Sequence, residues 1–184
     1  MRRVFLQVLV SLDGFFEASD ASLDWFVLDE DFFSYVNEML GSIDGIVLGR
    51  RTYEGFAANW PSSSQSEAKR MNELPKYVFS RTLQDADWEN TTLYADDAPG
   101  VVRRLKEEPG KDLAMFGSSD LAVSLVAEGL IDELRLFVVP VVLGSGKRLL
   151  EGLPHSVGLQ HTSTRTLSSG VVALRYTQGP SPER

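Results

Sequence analysis

The sequence contains no cysteine among its 184 residues. That absence excludes disulfides, a thiolate nucleophile and cysteine-ligated zinc together. Only two histidines occur, His155 and His161, so a metal centre or a Ser-His-Asp triad has few candidates and no metal site is expected. Positive charge is also short: 18 Lys and Arg stand against 26 Asp and Glu, for a net charge of −8. A chain this acidic lacks the basic footprint of a nucleic-acid or anionic-membrane binder. Any anion it holds must meet a local basic patch. No apolar run is long enough to span a bilayer. The first ten residues have the outline of a signal peptide, but Gln7 and Asp13 interrupt it and no small-residue cleavage site follows. A soluble, cytoplasmic protein is expected.

What is present is an ordinary globular composition, 43% hydrophobic, at a length that suits one domain. Short apolar runs rich in branched residues alternate with segments of helical spacing. Strands are expected over residues 4–11, 46–48, 77–79, 91–95, 112–116 and 134–139. Helices are expected after Asp29-Glu30-Asp31, after Gly49, over residues 67–73 and 99–108, and over 121–128. Gly41 is a plausible stop for the first helix and Gly129 for the last. Residues 15–26 read as a long irregular loop, of the kind that often carries function. Residues 157–165 and 170–177 fit a terminal antiparallel hairpin. The pattern predicts one α/β domain over residues 1–178, with a central mixed sheet flanked by helices. Residues 179–184 read as a disordered tail.

Three strand ends share a form. Leu48 is followed by Gly49-Arg50-Arg51-Thr52, Phe79 by Ser80-Arg81-Thr82, and Phe116 by Gly117-Ser118-Ser119. In a parallel sheet the carboxyl ends lie along one edge, where ligands bind. A glycine admits close backbone approach, a helix N-terminus attracts an anion, and arginine forks fit phosphate. Together they describe a groove for an elongated polyanion such as a dinucleotide. The Gly-x-Gly-x-x-Gly fingerprint and the P-loop are both missing, although Gly144-Ser145-Gly146-Lys147 gives a shortened imitation of the latter.

The segment Gly49-Arg50-Arg51-Thr52-Tyr53-Glu54 resembles the Gly-Arg-x-Thr-(Trp/Tyr)-Glu segment of the dihydrofolate reductase-like fold. Val10-Ser11-Leu12-Asp13-Gly14, Leu130-Ile131-Asp132-Glu133-Leu134-Arg135-Leu136 and Pro140-Val141-Val142-Leu143-Gly144-Ser145-Gly146 resemble its riboflavin-biosynthesis branch. That branch includes the reductase domain of bacterial bifunctional deaminase-reductases. The resemblance covers nearly the whole chain. It implies a mixed eight-stranded sheet, NADPH as hydride donor and a homodimer. By position, Gly49, Arg50, Arg51 and Thr52 would hold cofactor phosphates, Ser80 and Arg81 would line the adenosine side, and Gly117, Ser118 and Ser119 would lie on the pyrophosphate. The fold commonly has paired glycines at that last site; this chain has one.

For the substrate end, the resemblance points to a carboxylate at the start of the first helix. Asp31 is preferred over Asp29 and Glu30, whose plainer role is capping. Asp13 is the second candidate, with turn formation before Gly14 as its alternative. Lys147 and Arg148 could meet a substrate phosphate or be solvated. Phe137 falls where folate reductases carry a threonine, which argues against folate. The expected activity is an NADPH-dependent reduction of a C=N or C=O in a small heterocyclic or sugar-linked substrate, like that of 5-amino-6-(5-phosphoribosylamino)uracil reductase. The alternatives are a non-catalytic nucleotide-binding dimer of the same fold and a dihydrofolate reductase.

Overall fold

Residues alternate along Val4–Ser11 (β1) in a way that requires a core on both faces of one sheet. In the computed structural model, which describes residues 1–179, Val4, Leu6, Val8 and Val10 pack in one apolar cluster, and Phe5 and Leu9 pack in another. The period of two follows from strand geometry. Ile46 and Leu48 side with Phe5, and Val47 sides with Leu6, so Ile43–Gly49 (β3) obeys the same rule.

The remaining elements follow in chain order. Phe15–Ala18 (β2) is a short strand, and Glu30–Ser42 (α1) is the first helix. After β3 come Arg50–Asn59 (α2), a 3-10 turn at Trp60–Ser62, and Ala68–Glu73 (α3). Lys76–Phe79 (β4), Thr91–Tyr94 (β5), Ala98–Glu107 (α4), Asp112–Phe116 (β6) and Ser119–Ala127 (α5) continue the alternation. Glu133–Val139 (β7), Gly146–Arg148 (β8), Gly158–Thr166 (β9) and Val172–Gly179 (β10) complete the described chain.

The main sheet has eight strands in the order β5-β4-β3-β6-β1-β7-β10-β9. All pairings are parallel except those of β10, which runs against both β7 and β9. The expected α/β class, mostly parallel sheet and terminal hairpin are therefore all present. Buried residues of α1, α2 and α3 pack with the Phe5 side, and those of α4 and α5 pack with the Leu6 side.

Three expectations are corrected. Residues 15–26 are not irregular throughout, because β2 pairs antiparallel with β8 and forms a small second sheet. That pairing joins segments about 130 residues apart, which local pattern does not register. Gly41 does not stop α1; the helix runs to Ser42, whose hydroxyl bonds the Met39 carbonyl at 2.7 Å. Gly179 ends β10 and is not part of a tail, while residues 180–184 of that expected tail lie outside the described residues. Among the described residues no helix is long and apolar enough to cross a membrane.

Candidate functional site

Parallel pairing brings the carboxyl ends of β4, β3, β6, β1 and β7 to one edge. At its middle, Gly49 ends β3 beside Ser118. A Cβ on residue 49 would stand 3.3 Å from both Cβ and Oγ of Ser118, so glycine permits this approach. The Gly49 N–H donates to Ser118 Oγ at 2.9 Å. The same hydroxyl lies 2.9 Å from the Thr52 hydroxyl and 3.1 Å from the Phe116 carbonyl. Ser118 thus stitches the start of α2 to the start of α5. Its backbone is left-handed, with φ of 54°, directly after Gly117 at φ 52°. The single glycine of this loop is therefore accompanied by a serine held in a glycine-like conformation by its own side-chain contacts.

The stitch has a cost at the helix ends. Ser118 occupies the N-cap of α5 but does not cap it, and Gly49, the N-cap of α2, has no side chain to do so. By contrast, Asp29 caps α1 by accepting from Phe32 N–H, and Asp97 caps α4 by accepting from Gly100 N–H. The two helices starting at the middle of the edge both lack a side-chain cap. Their first-turn N–H groups and dipoles remain available to an anion. Arg50 lies 3.5 Å from Glu54, one turn on, in a half-exposed pair. Arg51 is exposed, and its side chain has no ion pair or hydrogen bond among the described residues.

Toward the β4 side the edge opens into a cleft lined by Phe79, Ser80, Arg81, Asp96 and Asp97. Phe79 stacks on Tyr94 with ring centroids 5.4 Å apart. The Ser80 hydroxyl accepts from Thr82 N–H at 3.2 Å and Leu83 N–H at 2.9 Å, so it shapes the turn. Arg81 is largely exposed, 3.6 Å from Asp96.

On the other side of Ser118 lie the predicted carboxylates, and both are already bonded. Asp13 accepts from the Ser11 hydroxyl at 2.7 Å, from Leu143 N–H at 3.1 Å and from Gly144 N–H at 2.8 Å. The Ser11 bond, with help from the two backbone donors, holds its pKa down at about 2. Asp13 is thus the post that fixes the 140–146 loop against β1, a role beyond the plain turn-former. Asp31 accepts from Ser168 N–H at 2.9 Å and lies 3.7 Å from Arg165. The Ser168 backbone bond lowers its pKa. Asp29 accepts from the Ser168 hydroxyl at 3.0 Å and Ser169 N–H at 2.7 Å, and its pKa falls to about 2, with Ser169 as the leading cause. Neither Asp13 nor Asp31 holds a proton at neutral pH, so neither can donate one. They are fixed anions.

The β2–β8 flap joins Asp13 to the start of α5. Lys147 reaches Asp120, in the first turn of α5, at 2.7 Å. Arg148 lies over the Phe15 ring at 4.5 Å and bonds the Asp13 carbonyl at 3.4 Å. Phe137 is buried, with its ring edge-on to Phe32 at 5.1 Å and Tyr35 at 5.0 Å. The edge therefore brings together Gly49, Thr52, Gly117, Ser118 and Ser119, with Arg50 and Arg51 beside them. Ser80 and Arg81 form a separate wall. Sequence reasoning missed Ser11, Arg165, Ser168 and Ser169 as partners of the carboxylates. All but Ser11 arrive through contacts over 130 residues apart, and Ser11 carried only the signal of lying two residues before Asp13.

The sequence matches the family model of the RibD C-terminal domain over residues 2–173. It is 35% identical over 181 residues to YyaP of Bacillus subtilis, an uncharacterized protein, covering 95% of this chain and 94% of that one. YwjB of the same organism, also uncharacterized, is 30% identical over 173 residues, at 92% and 95% coverage. Among solved structures, a riboflavin-biosynthesis-type protein of Shewanella sp. PV-4 superposes with a TM-score of 0.77 at 19% identity, covering 97% of this chain and 99% of that one. The Thermotoga maritima deaminase/5-amino-6-(5-phosphoribosylamino)uracil reductase gives 0.72 at 14% identity, over 97% of this chain and 57% of that one. Dihydrofolate reductase of Enterococcus faecalis, solved with NADP(H), gives 0.66 at 12% identity, with 97% of each chain covered. At these identities the structural likeness is one of fold.

Proposed function

The chain belongs to the RibD C-terminal domain family, and from that premise we propose that it is a reductase using NADPH to reduce a C=N or C=O carbon in a small heterocyclic or sugar-linked substrate. The observation that carries this reading is the pair of adjacent helix starts without side-chain caps, joined through Ser118 at the carboxyl edge. They fit a diphosphate, because two sets of backbone donors and two dipoles converge where Gly49 leaves room. In this reading Gly49, Thr52, Gly117, Ser118 and Ser119 hold the diphosphate through their backbone. Arg50 and Arg51 supply fixed charge toward the phosphates, and Ser80 and Arg81 line the adenosine end. The nicotinamide, when bound, supplies the hydride.

The chain's own residues then position and exclude. Asp13 keeps the 140–146 loop in place, and Asp31 holds the substrate end of α1 to the β9–β10 turn while presenting negative charge to a substrate N–H. Because both stay ionised, the proton that completes the reduction comes from solvent. By analogy with the Thermotoga enzyme named above, a ribosylaminopyrimidine is the first substrate to try. The molecule acts as a cytoplasmic homodimer in this reading.

Titration with NADPH, followed by cofactor fluorescence, tests the first requirement: saturation below millimolar cofactor is expected, and its absence would sink the proposal. Replacing Arg50 and Arg51 together by alanine should weaken NADPH by about tenfold to a hundredfold, as for loss of one or two charge-assisted bonds, and NADH less. Equal losses would mean that neither arginine meets the 2′-phosphate by which NADPH differs from NADH. A second reading, a nucleotide-binding dimer without turnover, is favoured by one observation: both candidate carboxylates already accept hydrogen bonds from the protein's own donors. NADPH oxidation dependent on any pyrimidine substrate would eliminate it. Folate reduction is the weakest reading, since buried Phe137 offers no hydroxyl to a pterin-binding carboxylate. A dihydrofolate assay with methotrexate as control decides it.

A further inference from the structure

One polar side chain interrupts an apolar strand. Within β1 the run Val4-Phe5-Leu6-Gln7-Val8-Leu9-Val10 has a single polar member, and Gln7 is only 5% exposed. Side chains alternate across the sheet, so Gln7 shares the face of Phe5 and Leu9, on which α1 and α2 rest. Its Oε1 is buried without a hydrogen-bond partner. Among the described residues with such an atom, Gln7 alone is buried as a whole. Burying an amide oxygen without a donor destabilises a fold, whereas an apolar side chain of the same length would not. A central strand that breaks the core pattern at one position points to a use outside folding.

The neighbours of Gln7 place it beside the candidate site. Its Cα partners are Phe116, the last residue of β6, and Arg135 of β7. Its carbonyl accepts from Gly117 N–H at 3.3 Å, so it adjoins the Gly117-Ser118 loop. On one side Phe116 meets Phe56 of α2, with ring centroids 6.0 Å apart. On the other, Leu9 pairs with Phe137, whose ring meets Phe32 and Tyr35 of α1. Gln7 therefore stands on the sheet between the footings of α1, which carries Asp31, and α2, which starts at Arg50. Arg135 turns elsewhere: its guanidinium lies over the Phe5 ring at 3.5 Å and bonds Glu133 at 2.7 Å. No protein donor answers Gln7 Oε1, which leaves that place to a donor on a ligand.

We propose that the Gln7 carboxamide reads the substrate ring, accepting a ring N–H on Oε1 and donating its own N–H to the adjacent ring C=O. A primary amide carries an acceptor and donors side by side, and two such bonds in one plane are how glutamine recognises a base edge. The matching edge is a cyclic amide, the –NH–C(=O)– unit of a pyrimidinone. Because Gln7 is uncharged, it selects this pattern of donor and acceptor. A ring lacking the N–H leaves Oε1 unpaired and is rejected for that reason. The assignment rests on the reading of the chain as a reductase of a heterocyclic substrate and adds the residue that recognises the heterocycle.

Gln7→Met, which keeps the length and removes the amide, separates this role from a structural one. Without ligand the variant should melt about 2–4 °C above wild type, because an unpaired buried group is gone. Calorimetric titration with 5,6-diaminouracil, with and without NADPH, should show binding to wild type that the variant weakens about tenfold. The 1,3-dimethyl derivative, which has no ring N–H, should bind both proteins equally weakly. NADPH affinity should not change. A variant that melts lower or fails to fold would show that Gln7 serves the fold, and overturns the proposal. So does a wild type that ignores 5,6-diaminouracil, or a variant that binds it as well as wild type does. A fall in NADPH affinity would assign Gln7 to the nicotinamide carboxamide and overturn its assignment to the substrate. A wild type that binds no NADPH sinks the reductase reading by itself, while melting and the ring titration still judge Gln7.

Discussion

At the scale of single residues, Ser118 has two opposed terms. Its left-handed backbone costs a non-glycine residue about 1 kcal/mol or more, and its hydroxyl recovers about 1 kcal/mol through the Gly49 N–H bond. Ser118→Gly relieves the first and loses the second, so stability measured in urea should change little. Ser118→Ala keeps the strain and loses the bond, and should destabilise by roughly 1–2 kcal/mol. The reverse order would mean the hydroxyl contributes nothing. Asp29 gives a second residue-level expectation. Its folded pKa, about 2, lies below the ordinary 3.8, so the stabilisation is present above that ordinary value and disappears as pH falls toward 2. Asp29→Asn should therefore lower the Tm at pH 7, and the gap from wild type should close progressively between pH 4 and pH 2. A gap constant across that range would exclude the ionised clasp.

At the scale of elements, the β2–β8 flap depends on one glycine. Gly146 has φ of +143°, and a Cβ there would come within 2.1 Å of the Glu17 carbonyl oxygen, a backbone atom with no room to yield. Gly146→Ala should cost roughly 1–3 kcal/mol, the range for forced overpacking, and should release β2 from β8. Since Arg148 of the flap bonds the Asp13 carbonyl and Lys147 reaches Asp120 in the first turn of α5, KM for the substrate should rise and NADPH affinity should fall together. A loss of only one would mean that the flap supports one half of the edge. This element also shows where sequence reading ends. The order of strands and helices was legible because apolar runs of period two and helical spacing are local signals, as in β1 and α4. The strand-to-helix turn proposed to hold phosphate was legible for the same reason: Gly49 to Thr52 is one continuous segment. The flap and the Asp31–Ser168 clasp were not, because each joins residues more than 120 positions apart by main-chain bonds that place little demand on side-chain type.

At the scale of the molecule, charge and shape pull against each other. Each copy carries −8, so the homodimer of the proposed function has to form against mutual repulsion. Which of the two governs association depends on how far charges are felt. At 0.01 M salt the screening length is about 30 Å, comparable with the size of the domain, so each copy experiences the other's whole negative charge. At 0.15 M it is about 8 Å, and only the charges at the contact count. Self-association should therefore strengthen as salt rises from 0.01 M to 0.15 M and then level off. Contacts held mainly by ion pairs behave oppositely, because screening weakens them. Sedimentation equilibrium across that range separates the two: a dissociation constant that falls with salt and then plateaus supports a contact that holds few ion pairs. A constant that climbs steadily would place ion pairs across the contact instead, and a monomer at every salt concentration would remove the homodimer.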